Sequence, residues 1–304
     1  MKNSFVRQVI FPVLAALIWG TAFVAQSVCA NIVPPFAVNA LRSVIAVAFL
    51  LPLSRVFDAA AAKRGELAET DRRMLLRGGV LCGVILAVCV NLQQAGLADT
   101  SAGKAGFITA FYEVLVPVFG IFLRRRAGLR IWVSVAIAVA GLYLLCIKAG
   151  EDFVSSLQLS DVYILLCAVF FALQILCVDH FVQRVDGVKL SCIQFAVAGV
   201  ISAALSVCFE TVDWNGVARC ILPILYMGVF SSGVAYTLQI LAQKGSNPTV
   251  VTLLFSLESV FSVLAGAIIL GDRLSGREYL GCVLMFIAVI LAQIPLKMGQ
   301  KQLQ

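Results

Sequence analysis

Residues 247–270 read NPTVVTLLFSLESVFSVLAGAIIL, an apolar stretch interrupted near its middle by one acid, Glu258. From Pro248 onward it holds 23 residues, which as α-helix at about 1.5 Å per residue measures roughly 34 Å, enough for a hydrocarbon core of about 30 Å. Pro248 suits a first helical position, where its missing N–H has no intrahelical acceptor, and Asn247 before it can accept from the freed backbone donors. The stretch therefore predicts a transmembrane helix over 248–270 with a carboxyl buried near mid-depth. An ionisable side chain there costs about 2.5–3.5 kcal/mol or more unless it is paired, protonated or wetted. Glu258 is thus a candidate functional group; the plain structural reading is a protonated acid hydrogen-bonded across a helix seam.

The same pattern recurs along the chain. Ten apolar spans can be drawn, at 9–30, 35–57, 74–97, 103–123, 129–148, 161–182, 189–209, 217–241, 248–270 and 276–296. The 304 residues are 61% hydrophobic and 13% charged, with a mean hydropathy of +1.00, about half the charged share of ordinary soluble domains. The longest polar interruption, Asp58 to Arg73, is short for a folded extramembrane domain, which excludes a soluble catalytic module. The net charge of +7 does not point to nucleic acid, because the basic residues cluster between apolar spans, where membrane topology explains them.

With the N-terminus placed in the cytoplasm, 17 lysines and arginines fall inside and 5 outside, Arg42 being left within a helix. Both termini are therefore predicted to be cytoplasmic. Val28-Cys29-Ala30 resembles a signal-peptidase site, but the apolar run from Val9 to Ala30 has 22 residues, longer than the about 7–15 of a cleaved signal. It is expected to stay as the first helix. The ten cysteines lie inside apolar spans or near their ends and form no CxxC, so they are expected to act as small apolar side chains, without disulfide or metal.

A shift of 152 residues lays Ile18-Trp19-Gly20 on Phe170-Phe171-Ala172 and Arg42 on Gln194; at 145, Phe111-Tyr112-Glu113 meets Ser256-Leu257-Glu258. Five spans per half, an odd number, would make the second copy inverted. The expected units are 1–148, a connecting loop 149–160, 161–296 and a cytoplasmic tail 297–304.

Several of these residues carry a family likeness. Trp19-Gly20-Thr21-Ala22-Phe23, Leu41-Arg42, the run from Gly96-Leu97 to Pro117 with Thr100-Ser101-Ala102-Gly103-Lys104-Ala105 and Phe107-Ile108, and Ser256-Leu257-Glu258 followed by Gly271-Asp272-Arg273-Leu274 resemble the EamA-type transporters of the drug/metabolite transporter superfamily. The likeness covers nearly the whole chain and rests on order and spacing. It implies an all-α polytopic membrane protein of ten transmembrane helices, arranged as two inverted five-helix repeats around a cavity used for alternating access. Members of the superfamily move amino acids, nucleotide sugars, drugs and other small metabolites. Two departures stand out: Tyr112-Glu113 puts a carboxyl where an apolar residue is expected, and Arg124-Arg125-Arg126 replaces the usual Gly-Glu-Arg.

The candidate site follows from depth and polarity. Glu113 and Glu258 sit near the centres of their spans at matching points of the two halves, so both are expected to face one midplane cavity. They would repel if both were ionised, which favours a proton on at least one, so they could take protons in exchange for a solute or hold an ammonium group, the plain reading of Glu113 being a lone protonated acid in a helix contact. Arg42, about a turn into the second span, either attracts a carboxylate or phosphate to the cavity or serves structurally, snorkelling outward or binding a backbone carbonyl. Trp19, Tyr112, Gln93, Gln194 and Tyr236 complete the set of candidate solute contacts, with Gln26 and Gln239 among further polar candidates. No HExxH, GxxxxGK or GxSxG motif supports an enzyme, and no cofactor or metal is expected. The chain thus reads as a transporter, an exporter of small organic solutes in a plasma membrane of bacterial inner-membrane type. An uncoupled facilitator and a lipid-linked sugar flippase are the alternatives. Its partners are a small-molecule substrate and the lipid bilayer, a homodimer being compatible with the sequence.

Overall fold

The computed structural model describes residues 5–63, 71–97, 99, 102–123, 128–147, 158–270 and 275–293. Thr100-Ser101, Arg124-Arg125-Arg126, Gly271-Asp272-Arg273-Leu274, residues 149–157 of the connecting loop and the tail 297–304 lie outside the described residues, as do the side chains of Lys104 and Phe107. A π-helical turn, Val6–Ile10, leads into α1 (Phe11–Ala30), followed by α2 (Pro35–Lys63), α3 (Arg72–Gly96), α4 (Ala102–Thr109), α5 (Tyr112–Phe122) and α6 (Leu129–Cys146). The second half holds α7 (Leu159–Val182), α8 (Gly187–Phe209), α9 (Trp214–Arg219), α10 (Ile221–Tyr226), a π-helical segment Met227–Ala235, α11 (Tyr236–Gln243), α12 (Pro248–Phe255), α13 (Leu257–Leu270) and α14 (Gly276–Gln293).

Among the described residues no strand occurs. Among the same residues six helical stretches are long and apolar enough to cross a bilayer: Val6–Ala30, Pro35–Lys63, Arg72–Gly96, Leu159–Val182, Gly187–Phe209 and Ile221–Gln243. Their starts follow local chemistry. Asp71 accepts from the backbone N–H groups of Arg73 and Met74 at 2.9 and 3.2 Å, Asp186 from that of Lys189 at 2.9 Å, and Asn247 from that of Thr249 at 3.0 Å. Each satisfies donors that a helix start leaves without an intrahelical acceptor.

Three spans differ from the expected continuous helices. The span 248–270 breaks at Ser256, and the span 103–123 breaks at Ala110 and Phe111. At the first-half break the N–H of Glu113 bonds the carbonyl of Ala110 (3.0 Å), and in the second half the N–H of Ser259 bonds the carbonyl of Ser256 (3.2 Å). These three-residue steps are tighter than the four-residue steps of an α-helix, so each chain bends and the next helix restarts with an acid in its first turn. The span 217–241 is likewise not one regular helix: it pauses at Cys220, restarts as α10 and widens into the π-helical segment. Pro223 is the third residue of α10, where its missing N–H costs no intrahelical bond, whereas Pro117 lies inside α5.

The halves interlock reciprocally. α1 packs on α13 while α7 packs on α5; α3 packs on α7 while α1 packs on the π-helical segment; α2 meets α8, and α6 meets α14. The direction of α2 against α8 is fixed at both ends. Asp58, near the end of α2, pairs with Lys189 at the start of α8 at 2.8 Å. At the other end Glu210, just past α8, accepts from the N–H groups of Phe36 (2.8 Å) and Ala37 (2.9 Å) in the first turn of α2. A carboxylate there also complements the positive end of the helix dipole. The two helices are therefore antiparallel, and because short connections join α1 to α2 and α7 to α8, α1 and α7 also run in opposite directions.

Close approach at the central seam depends on glycine. A Cβ on Gly20 would meet the carbonyl oxygen of Glu258 at 2.6 Å, so α1 can lie against the start of α13 only without a side chain there. Deeper in the core, Asn39 donates to the carbonyl of Val90 and to Asn91 Oδ1, both at 3.0 Å, and Asn91 donates to Ser202 Oγ at 2.9 Å. This buried network ties α2, α3 and α8 together where an unmet polar group would be costly.

Candidate functional site

The two helix breaks and the π-helical segment converge on a cavity between the halves, with about 480 Å³ of empty space including its mouth. The first half supplies Trp19, Gln26, Arg42, Gln93, Thr109 and Tyr112 to its wall, and the second supplies Phe171, Ile175, Ser231, Tyr236, Gln239, Phe255 and Glu258. Backbone departs from regular α-helix here because it faces a cavity, and such departures are rare against lipid. A smaller chamber, with about 210 Å³ of empty space including its mouth, lies alongside, walled by Phe23, Ala110, Glu113, Ser256, Ser259 and others; Thr109, Tyr112, Phe255 and Glu258 line both spaces.

The structure brings six of the eight sequence-derived site residues to the main cavity: Glu258, Arg42, Trp19, Tyr112, Gln93 and Tyr236. The other two lie elsewhere. Glu113 walls the smaller chamber instead of the common cavity: its side chain is 0% exposed, and neither carboxyl oxygen has a hydrogen-bond partner. Glu258, by contrast, is half-buried and borders both spaces. Gln194 stands behind the wall, its Oε1 accepting from Gln174 Nε2 at 3.4 Å, while Gln174 Oε1 accepts from Gln239 Nε2 at 3.1 Å. Of these three glutamines only Gln239 reaches the cavity. The repeat matches Gln194 to Arg42, but the neighbouring Gln174 amide takes up part of its bonding instead.

Arg42 neither snorkels outward nor binds a carbonyl. It is 4% exposed, and its guanidinium donates from Nε to Ser232 Oγ at 2.8 Å and from Nη2 to Ser231 Oγ at 3.0 Å. Both serines belong to the π-helical segment, which the sequence reading passed over. Their one signal in the sequence is adjacency, Ser231-Ser232-Gly233 within an apolar span. Aromatic rings close the cavity around these polar groups. Trp19 meets Tyr236 and Phe255 edge-on at 4.9 and 5.3 Å between centroids, and Tyr112 leans on Phe171 at 6.3 Å. Trp19 Nε1 is enclosed and without a hydrogen-bond partner.

Chemically, the cavity offers one acid that meets open space, one arginine with donors to spare, amides, and flat apolar walls. That set can bind a small organic solute and exchange a proton. Among the described residues no group of three or more His, Cys, Asp or Glu side chains could hold a metal ion.

The chain's likeness to known proteins agrees in class. The sequence profile of the EamA-like transporter family matches it twice, over residues 7–147 and 158–293. An uncharacterized transporter of Archaeoglobus fulgidus is 28% identical over 282 residues, covering 92% of this chain and 84% of that protein. A WAT1-related chloroplastic protein of Arabidopsis thaliana is 26% identical over 295 residues, covering 91% of this chain and 67% of that protein. One crystal structure superposes with a TM-score of 0.75 at 20% identity, covering 94% of this chain and 96% of the other, a likeness of fold.

Proposed function

The chain belongs to the EamA-like transporter family, and on that premise we propose that it exports small organic solutes, amino acids being one such class, across a plasma membrane in exchange for protons. It is a membrane transporter of the drug/metabolite type, with helices long and apolar enough to cross the bilayer. The finer reading has ten spans, both termini in the cytoplasm and two inverted repeats rocking about the cavity. The reciprocal packing, the antiparallel run of α2 against α8 and the double match to the family support it.

The observation that carries the reading is Glu258: a half-buried carboxyl in the first turn after a helix break, in the wall of a cavity shared by both halves. Opened outward, the cavity exposes Glu258 to the more acidic side, where a proton neutralises it and releases the ammonium group of a bound amino acid. Opened inward, the proton leaves and that group takes its place. Glu113, enclosed across the shared chamber, resists a second negative charge beside Glu258.

The test is flux in proteoliposomes under an imposed pH difference. Solute is expected to accumulate against its gradient, driven by protons moving the other way, and Glu258→Gln is expected to abolish that accumulation while downhill exchange persists. Wild-type downhill flux that no pH difference can turn uphill would instead establish an uncoupled facilitator. Translocation of a labelled lipid-linked sugar, with no flux of free solutes, would establish a flippase.

A further inference from the structure

The family profile does not say what chemistry the cavity selects, and Arg42 bears on that directly. We infer that Arg42, held by Ser231 and Ser232, is the anchor for a carboxylate on a solute with a flat apolar body. This deepens the transporter reading and rests on it. A guanidinium carries five N–H donors in a planar fork suited to carboxylate. Here two are spent on neutral hydroxyls, leaving three. The ion pairs among the described residues are Lys189 with Asp58 and Arg219 with Asp213; none involves Arg42. Glu258 lines the same cavity without pairing to it. A buried cation whose charge is unmatched by protein is completed by an anion from outside.

Two further observations narrow the class. Arg42 is the only basic side chain lining the cavity among the described residues, so one negative charge is matched and the second charge of a phosphate is not. The remaining wall is largely aromatic, with Trp19, Tyr112, Phe171, Tyr236 and Phe255. The unpartnered Trp19 Nε1 supplies a further donor. The π-helical segment sets the anchor's direction, because its wider turn brings two consecutive serines onto one guanidinium.

The test uses purified full-length protein in nanodiscs and three near-isosteric probes, 3-phenylpropionate, 2-phenylethylamine and 3-phenylpropanol, read by thermal shift and calorimetry. The acid is expected to bind at least about tenfold more tightly than the alcohol or the amine, as a site built for a charged partner rejects analogues lacking it. Arg42→Gln should remove acid binding, Arg42→Lys should weaken it by about tenfold or more through loss of the planar fork, and the Ser231→Ala/Ser232→Ala pair should weaken it severalfold with the charge intact. Equal binding of acid and alcohol, failure of the acid to bind, or undiminished acid binding by Arg42→Gln in a folded protein would overturn the anchor. Tight amine binding that depends on Glu258 would overturn the anchor alone and leave the transporter reading standing. The transporter reading falls only if no solute in a broad panel is carried.

A different observation supports a second inference, on the same rocking motion. Cys82 Sγ lies 3.4 Å from Cys177 Sγ, linking α3 to α7. Cys29 and Cys220 share a buried cluster, linking α1 to the turn before α10. Each pair joins the two halves, and because α1 and α7 run in opposite directions, the pairs lie at opposite ends of the bundle. We infer that both are oxidation sites that clamp the halves together at their own end. In each, two thiols give up two protons and two electrons to an oxidant of the azo class, forming one S–S bond.

Diamide, reduced to its hydrazine, tests this on reconstituted protein, with cross-links mapped by mass spectrometry. Flux is expected to fall at least about tenfold, since rocking requires both ends to open in turn, and to recover with dithiothreitol. Cys82→Ser and Cys29→Ser should each remove one cross-link, and the double variant should resist the oxidant. Absence of either cross-link, or full cross-linking with unchanged flux, would overturn it.

Discussion

The break before Glu113 and the break before Glu258 occupy matching places in the two halves, yet they leave their acids in different surroundings. In the first half the turn takes in Ala110 and Phe111, and Glu113 is sealed with both oxygens lacking partners. In the second it takes in Ser256 alone, and Glu258 opens onto the cavity. The repeat sets the depth of each acid, while the side chains packed around it decide whether it meets open space. Duplicated backbone thus carries two chemically different groups, one suited to exchange and one to holding a local field.

The sharpest way to break that contrast is to neutralise each acid. Glu258→Gln is expected to abolish pH-driven accumulation, while Glu113→Gln stays within about twofold of wild type. Equal losses in both variants, measured in the same liposomes, would erase the distinction. A smaller effect sharpens the packing side of it. Gly20→Ala puts a methyl 2.6 Å from the Glu258 carbonyl oxygen and is expected to destabilise by about 1–3 kcal/mol. Gly106→Ala, on the other wall of the small chamber, meets nothing nearer than Ser259 Oγ at 4.0 Å and should leave thermal unfolding unchanged.

Glu113 itself offers the converse. Replacing a buried acid whose oxygens lack partners by Met removes a desolvation cost of about 1–3 kcal/mol, so Glu113→Met should raise the unfolding temperature in detergent, whereas Glu258→Met should not. The smallest expected effects lie at the two ends of the α2–α8 pair. Glu210→Ala removes a helix cap and should cost about 0.5–2 kcal/mol. Lys189→Ala breaks a part-exposed ion pair worth about 0–1 kcal/mol that fades with added salt.

The bundle was legible because crossing a bilayer imposes length, and length with low charge is written directly in a sequence. The start of α12 was equally local, fixed by Asn247; Asp71 and Asp186 act in the same way at α3 and α8, where the sequence reading named no cap. The breaks were not: Ser256 sits in an apolar run with no glycine or proline beside it, and apolar residues continue on both sides. What stands around the break is set by the fold, with a cavity on one side and Gly20 of α1 close against the start of α13. The same limit explains the site. Trp19, Tyr112, Gln93, Tyr236, Arg42 and Glu258 could be picked out as costly or polar groups at depth. The serines that hold Arg42 stand 189 and 190 positions away, and Gln194 is satisfied in part by an amide twenty residues earlier. Polarity within a span marks a residue that needs a partner; the fold decides whether that partner is protein or solute.

The central claim is that Glu258, and not Glu113, is the acid that gains and loses a proton at the cavity. Infrared difference spectra of reconstituted protein, taken between acidic and alkaline buffer without any solute, test it most directly. A carboxylic-acid carbonyl band that titrates in the wild type and in Glu113→Gln but disappears in Glu258→Gln is the predicted result. A band that survives Glu258→Gln and vanishes in Glu113→Gln would contradict it.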